Sequence, residues 1–499
     1  MVARVRQLLI ALSFVTAFAA PGSAQVGTGS WVIAGAQLAD GTGRPLRKAN
    51  VRVQGDTIVK IGDFKPKANE TVILGDGLVL APGFIDTHNH SDRGLQDEPE
   101  ASSQVSQGLT TLVLGQDGGS QWPISEYLEA RRRNAPSVNV VTMVGHATVR
   151  RLVMGDDFRR AATPDEVTRM AALVEQAIKE GAFGLSSGLE YEVGSYSTTD
   201  EVVALATAAK RAGGRLYISH IRDEADKSLE AIREAIAIGE RSKLASQITH
   251  IKLGTVNVWN KAGEVVKMVE DARRRGVDVT ADCYPYTAWH SNLKVLVPNK
   301  QWKDQASVQR ALDDVGGGKN ITITHLPMFP QYVGKTIAEI AGMERISEVD
   351  VYRKIVDDDR AGIIGHTMID EDVRTFYQQS WTMISSDGAI AGRHPRGAGS
   401  YPRVLGRFVR EKKWLTLEEA VRKMTSLPAW RLGLKDRGVI KKGMKADLVL
   451  FNPTTVIDNS TFADPTATAT GIEKVYVNGQ LVWSGRRATG ARAGRVLER

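Results

Sequence analysis

The 499-residue chain has a single cysteine, Cys283, so no disulfide can form within it, and its stability must come from a packed core and from any ion it holds. It also lacks an apolar run of the ~20 residues that a membrane-spanning helix needs. The nearest approach, Leu8 to Ala20, follows Arg4 and Arg6 and precedes the small residues Pro21-Gly22-Ser23-Ala24-Gln25. That is the pattern of a secretory signal, so residues 1–24 are expected to be a signal peptide cleaved near Ala24, with no stable membrane anchor and a periplasmic or secreted product. There is no basic stripe. The formal charge of +8 is spread along the chain, and Arg131-Arg132-Arg133 and Arg273-Arg274-Arg275 fall in helix-like segments as solvated faces. A nucleic-acid partner is therefore not expected, only mild attraction for anionic solutes. No internal repeat of solenoid period is visible, which argues against a repeat protein.

What is present fits a globular α/β protein with many tight turns: 42% hydrophobic residues and 48 glycines. Strand-like runs at Trp31-Val32-Ile33, Val51 to Gln54 and Thr57 to Ile61, and again at Gly443 to Phe451 and Lys474 to Val482, predict a small β-sandwich formed by both chain ends, residues 25–82 and 436–499. Between them, residues 83–435 alternate β-rich and helix-like stretches, the pattern of a (β/α)8 TIM-like barrel. Its expected strands are Gly83 to His90, Thr110 to Asp117, Val138 to His146, Ala182 to Ser187, Leu216 to His220, Gln247 to Lys252, Val277 to Asp282 and Trp381 to Asp387. Residues 295–375, interrupted by Pro327, Pro330 and Gly334, are expected to form an insertion over the barrel mouth.

His88-Asn89-His90 ends the first of these strands. Residues two apart on a strand face the same side, so both imidazoles can reach one ion while Asn89 points away. Barrels present their working groups at the C-terminal ends of the strands. The tips here carry His88, His90, Asp117, His146, His220, His250 and Asp387, which includes most of the nine histidines. Imidazoles with carboxylates are the ligand set of Zn²⁺, one ion or two, with Mn²⁺ or Co²⁺ as substitutes and an open position for water. Zinc lowers the pKa of bound water to roughly 7 and polarises a scissile carbonyl. Asp387, in Ser385-Ser386-Asp387-Gly388, is the candidate to take the proton of the attacking water and pass it to a departing amine. Its other reading is an Asx turn before Gly388.

The chain resembles the amidohydrolase superfamily and, within it, the D-aminoacylase or N-acyl-D-amino-acid deacylase group. The resemblance rests on Ala81 to His90, Val144-Gly145-His146, Gly184 to Leu189, His220-Ile221-Arg222-Asp223-Glu224, His250-Ile251-Lys252, Tyr284-Pro285-Tyr286, Ser386-Asp387-Gly388, His394-Pro395-Arg396 and Gly443 to Leu448. It implies that His220 and His250 hold a tightly bound zinc, that His88 and His90 belong to a second, weaker position, and that Asp387 is the acid/base. It also implies that Lys252 and Tyr284 bind the free carboxylate of a small-molecule substrate. Arg396 is a further carboxylate partner, since a guanidinium grips a carboxylate through two parallel hydrogen bonds, and Ser291 is taken as another substrate contact. His146 either hydrogen-bonds the tetrahedral intermediate or supports the metal site.

The sequence departs from the group at two points. D-aminoacylases often have a cysteine ligand in an Asn-Cys-Gly turn, whereas this chain has Gln116-Asp117-Gly118, a harder ligand. The superfamily's alternative, a carboxylated lysine after the fourth strand, has no candidate, because Ala182 to Gly188 contains no lysine. After Tyr284-Pro285-Tyr286-Thr287 the group continues with small residues, whereas this chain has Ala288-Trp289-His290-Ser291. Trp289 either lines a substrate pocket or packs against the insertion. The leading expectation is a zinc amidohydrolase that cleaves N-acyl amino acids, of D configuration, to a carboxylate and a free amino acid. The alternatives are a dipeptidase, a hydrolase of xenobiotic amides carrying an amino-acid moiety, and a barrel without catalysis.

Overall fold

The computed structural model describes residues 29–499, so the signal expected over 1–24 lies outside the described residues. Eight parallel strands form the barrel. Phe84–Asp86, Leu109–Leu114 and Asn139–Thr142 pair with one another. Val144–Gly145, Gly184–Gly188, Leu216–His220, Ala245–Ile248, Val279–Cys283 and Thr382–Ile384 form a second run. The third strand joins the two runs. It pairs with the second strand up to Thr142 and with the fourth from Val144. At the other seam, Asp387 N donates to His88 O at 2.9 Å and His90 N donates to Gly388 O at 2.7 Å, tying the last strand to the first.

Helices cover the outer faces of these strands, so every residue of Leu109–Leu114, Gly184–Gly188 and Val279–Cys283 is buried, the polar Thr110, Ser186, Ser187 and Asp282 included. Gly184 is required by close approach: a Cβ there would lie 1.9 Å from Leu216 O. The covering helices start on side-chain caps. Thr163 and Glu166 form a reciprocal capping box on Pro164–Lys179, and Thr198 caps Thr199–Arg211. Their buried stripes, such as Met170, Val174, Ala177 and Ile178, seal the strands' outer face. Each fully buried aliphatic side chain there contributes about 1.5–3 kcal/mol.

Strands from both chain ends make one nine-stranded sheet, with Leu448–Phe451 from the C-terminal part beside Val79–Pro82 from the N-terminal part. The sheet curls over on itself to give the sandwich. Trp31 and Tyr476 stack at 4.6 Å although two strands separate theirs in the sheet order, and Ile58 N donates to Met444 O at 2.8 Å. The change of domain at 82/83 is abrupt, since Pro82 ends a sandwich strand and Phe84 begins a barrel strand. The C-terminal tail departs from expectation. Beyond Ala488 it leaves the sheet, and Leu497 N donates to Val140 O at 2.9 Å, so the tail lies along the third barrel strand.

The insertion is an antiparallel sheet of Trp289–Asn292, Gly362–Gly365 and Ile321–His325, with helices Gln305–Asp314, Ile337–Glu344 and Glu348–Ile355. It begins at 289, earlier than the expected 295. Helix Asp370–Tyr377 then returns the chain to the barrel. Among the described residues, no helix is long and apolar enough to cross a membrane.

Candidate metal centre and its cavities

The site stands on the C-terminal strand tips. Two buried carboxylates below it fix the backbone. Asp86 accepts from Ser386 Oγ at 2.5 Å and Asn89 Nδ2 at 2.9 Å, across the seam between the first and last strands. Burial pushes its pKa up, against those donors. Asp282 accepts from His250 N at 2.9 Å and Ser385 Oγ at 2.6 Å. Three site residues turn through the left-handed region without being glycine: Asp117 at φ +52°, His250 at +35° and Asp387 at +48°. Such conformations cost on the order of 1–3 kcal/mol each and persist where the surroundings impose them.

Six of the seven tip residues converge, all but His146. His88 Nε2 and His90 Nε2 are 3.2 Å apart, and His90 Nε2 lies 3.1 Å from Asp387 Oδ1. Asp117 is 3.4 Å from both of these histidines and 3.6 Å from His250 Nε2. His220 Nδ1 and His250 Nε2 are 3.0 Å apart. Two of the three candidate ligand groups among the described residues share Asp117, one of His88, His90, Asp117 and Asp387 and the other of Asp117, His220 and His250; the third is Glu190, His220 and Glu224. Asp117 Oδ1 is buried without a hydrogen-bond partner among the described residues. A buried carboxylate oxygen with no donor, facing imidazole nitrogens that converge to about hydrogen-bond distance, is what a divalent cation satisfies. Electrostatics agree. Burial disfavours charge on His90, yet Asp117 and Asp387 push its pKa up to about 10, so the cluster demands positive charge. Burial opposes ionisation of Asp387 too, but the Arg396 guanidinium and the histidines hold its carboxyl well below the usual range.

Two glutamates at the site were missed from sequence. Glu190 Oε2 accepts from His220 Nε2 at 2.9 Å, and Glu224 Oε1 lies 3.1 Å from His250 Nδ1. Each sits on the far nitrogen of a metal-facing imidazole, where a carboxylate fixes tautomer and ring orientation. Glu190 follows the fourth strand by two residues, and Glu224 stands four after His220 on the same loop, so proximity to the tips was the available signal. Tyr191, also missed, lies against the His220 ring at 4.4 Å.

Lys252 is nearly buried and donates to Glu224 Oε1 at 2.6 Å. Glu224 thus supplies an anion to Lys252 before any substrate carboxylate does. Arg396 Nη1 lies 2.8 Å from Asp387 Oδ2. Tyr284 stands behind them, its ring 4.8 Å from Arg396 and 5.7 Å from Lys252, with its hydroxyl toward Met368 Sδ at 3.7 Å rather than in a cavity. Ser291 lines the open space of both cavities. His146 does not join the cluster. It opens helix His146–Met154, and its Nε2 lies 2.8 Å from Glu201 Oε1, which also pairs with Arg150. Its role at the reaction centre is thus not supported by its position. Cys283 is a buried thiol outside the ligand groups.

Two cavities meet over the cluster. The inner one, about 40 Å³, is lined by His220, His250 and Lys252 with Trp289 and Val295. The outer one, about 450 Å³, is lined by His90, Asp117 and the insertion residues His325, Arg360 and Gly362. Tyr191, His290, Ser291, Asp387 and Arg396 border both.

Comparison with known proteins agrees with this geometry. Residues 75–483 match the amidohydrolase family. The chain is 37% identical to the D-aminoacylase of Alcaligenes xylosoxydans xylosoxydans, over 94% of this chain and 97% of that protein. It is 36% identical to the N-acyl-D-glutamate deacylase of the same organism, over 94% and 96%. The solved structure of the N-acyl-D-glutamate deacylase of Bordetella bronchiseptica, complexed with zinc and a phosphonate mimic of its tetrahedral intermediate, superposes with a TM-score of 0.85. That match has 32% identity and covers 94% of this chain and 99% of that one.

Proposed function

The chain belongs to the amidohydrolase family, and from that premise we propose that it is a zinc-dependent hydrolase that cleaves N-acyl-D-amino acids to a carboxylate and a free D-amino acid. The observation that carries this reading is the convergence of His88, His90, His220 and His250 on Asp117, beside Asp387 and at the junction of two cavities. Those four histidines and Asp117 would hold zinc, and Asp387 stands beside them as the proton carrier. When bound, the ion supplies a Lewis acid and lowers the pKa of water to roughly 7.

The chain's own residues supply the rest. Asp387 is ionised at neutral pH, since Arg396 and the histidines stabilise its negative charge. It can therefore take the proton of the attacking water and hand it to the amide nitrogen as the C–N bond breaks. Lys252, held by Glu224 at the inner cavity, meets the substrate's free carboxylate, and Arg396 meets it from the other side. Tyr284 backs both cations with its ring face, where cation–π attraction helps fix them. Ser291 borders the path between the cavities.

Matched N-acetyl-D- and N-acetyl-L-amino acids, assayed on protein of measured metal content, test the reading. D-selective release of the free amino acid, lost on chelation and restored by zinc, supports it. L-selective release or none at all sinks it. We also propose export, supported by Arg4 and Arg6 ahead of the apolar run Leu8 to Ala20. A mature N-terminus near Gln25 on protein from the periplasm or medium is the expected result, and a retained Met1 would contradict it.

A further inference from the structure

We propose that Trp289 is a specificity-determining residue that restricts the enzyme to N-acyl amino acids with a small side chain while leaving the acyl group free to be large. The proposal rests on the deacylase reading, because it needs the substrate's two ends to be oriented. Lys252 borders the inner cavity and not the outer one, whereas Asp387 borders both. With the free carboxylate at Lys252 and the scissile amide at Asp387, the amino-acid half lies inside and the acyl half points outward. The side chain on the carbon next to the carboxylate must then fit beside Trp289 and Val295.

The two spaces differ by an order of magnitude. The inner cavity is about 40 Å³. A water-sized group needs ~10–15 Å³, so this space takes roughly three such groups, the two carboxylate oxygens and a methyl. The outer cavity, at about 450 Å³, holds a ring or a short chain.

Trp289 is also fixed in place. Its Nε1 donates to Thr367 Oγ1 at 2.8 Å, and that hydroxyl donates to Gly254 O at 2.6 Å. Trp289 pairs with Gly365 across the insertion sheet, and a Cβ at Gly365 would lie 2.3 Å from the indole. The two readings that sequence left open for Trp289 are therefore both realised: it packs against the insertion and presents the same ring to the cavity.

Four substrates test this on the zinc-loaded full-length enzyme: N-acetyl-D-alanine, N-acetyl-D-leucine, N-phenylacetyl-D-alanine and N-phenylacetyl-D-leucine. In the wild type, alanine to leucine should lower kcat/KM by about tenfold or more, and acetyl to phenylacetyl by less than about threefold. In Trp289→Ala the leucine penalty should shrink by about tenfold while the acyl preference stays put. A wild type that favours leucine, or a folded Trp289→Ala with an unchanged leucine-to-alanine ratio, would overturn the assignment. If Trp289→Ala does not fold, the wild-type series and Trp289→Phe, expected to relieve part of the penalty, decide the matter. Turnover of all four without the side-chain preference removes only this proposal, whereas turnover of none removes the deacylase reading with it.

Discussion

The floor of the site and its wall are built from different parts of the chain. The floor, where His88, His90, Asp117, His220 and His250 converge, rests on parallel strands whose register fixes which side chain faces the lumen. The wall, with Trp289, His290 and Ser291, belongs to an antiparallel insertion that joins the barrel between its seventh and eighth strands. On the proposed reading the floor sets which bond is broken, Lys252 and Arg396 beside it hold the substrate's carboxylate, and the wall sets which side chain is admitted. In this fold, chemistry and selectivity can therefore vary separately, as expected where loops vary on a fixed barrel.

The strongest way to break that separation is at Asp387. Asp387→Ala should lower turnover by ~10²–10⁴ with zinc content unchanged, and retained activity would remove Asp387 from the mechanism. His220→Ala should lose both zinc and turnover, whereas His146→Ala should keep its zinc; metal analysis of the two purified variants separates these strand-tip histidines. At the inner cavity, Lys252→Ala should raise KM on free-carboxylate substrates by roughly tenfold or more. An equal loss on the matching carboxamides would argue that Lys252 acts through Glu224 and His250 rather than on the substrate. Glu201→Ala should cost about 3–5 kcal/mol of stability, because it leaves Arg150 buried and unpaired. Chemical denaturation measures this, and a loss under ~1 kcal/mol would show that water takes the carboxylate's place.

The smallest effect concerns pH and His290, where the wall faces the charged groups of the floor. Burial and the neighbouring Arg396 push the pKa of His290 down to about 4 from 6.5. Its folded-state pKa is depressed, so the unfolded chain binds the extra proton first as pH falls. The stability His290 contributes is present above pH 6.5 and is lost as pH falls through about 4. A His290→Gln variant should show a flatter stability profile across that window, and an unchanged profile would contradict the assignment.

Sequence reasoning reached the floor far better than the wall, for physical reasons. All eight barrel strands overlap the runs that alternating β-rich and helical stretches marked out, although the sixth, Ala245–Ile248, starts and ends before the expected Gln247 to Lys252. The metal-facing residues followed from the rule that strand tips point to the site. His146 shows where that rule stops. Its strand segment, Val144–Gly145, is so short that His146 already belongs to a helix, and its ring turns outward to Glu201. Glu190 and Glu224 were missed because they lie on loops, and their partners are set by chain folding rather than by spacing. Trp289 was legible as a bulky residue in an unusual place, but its role depends on Gly365 and Thr367, more than seventy residues downstream.

The most direct test of the central claim is the rate of amino-acid release from N-acetyl-D-alanine by wild type and Asp387→Ala, with zinc measured on the same two samples. The account predicts zinc in both and turnover only in the wild type. Zinc in both with equal turnover would show that the proton passes through another group, and turnover by zinc-free wild type would show that the strand-tip cluster is not the reaction centre.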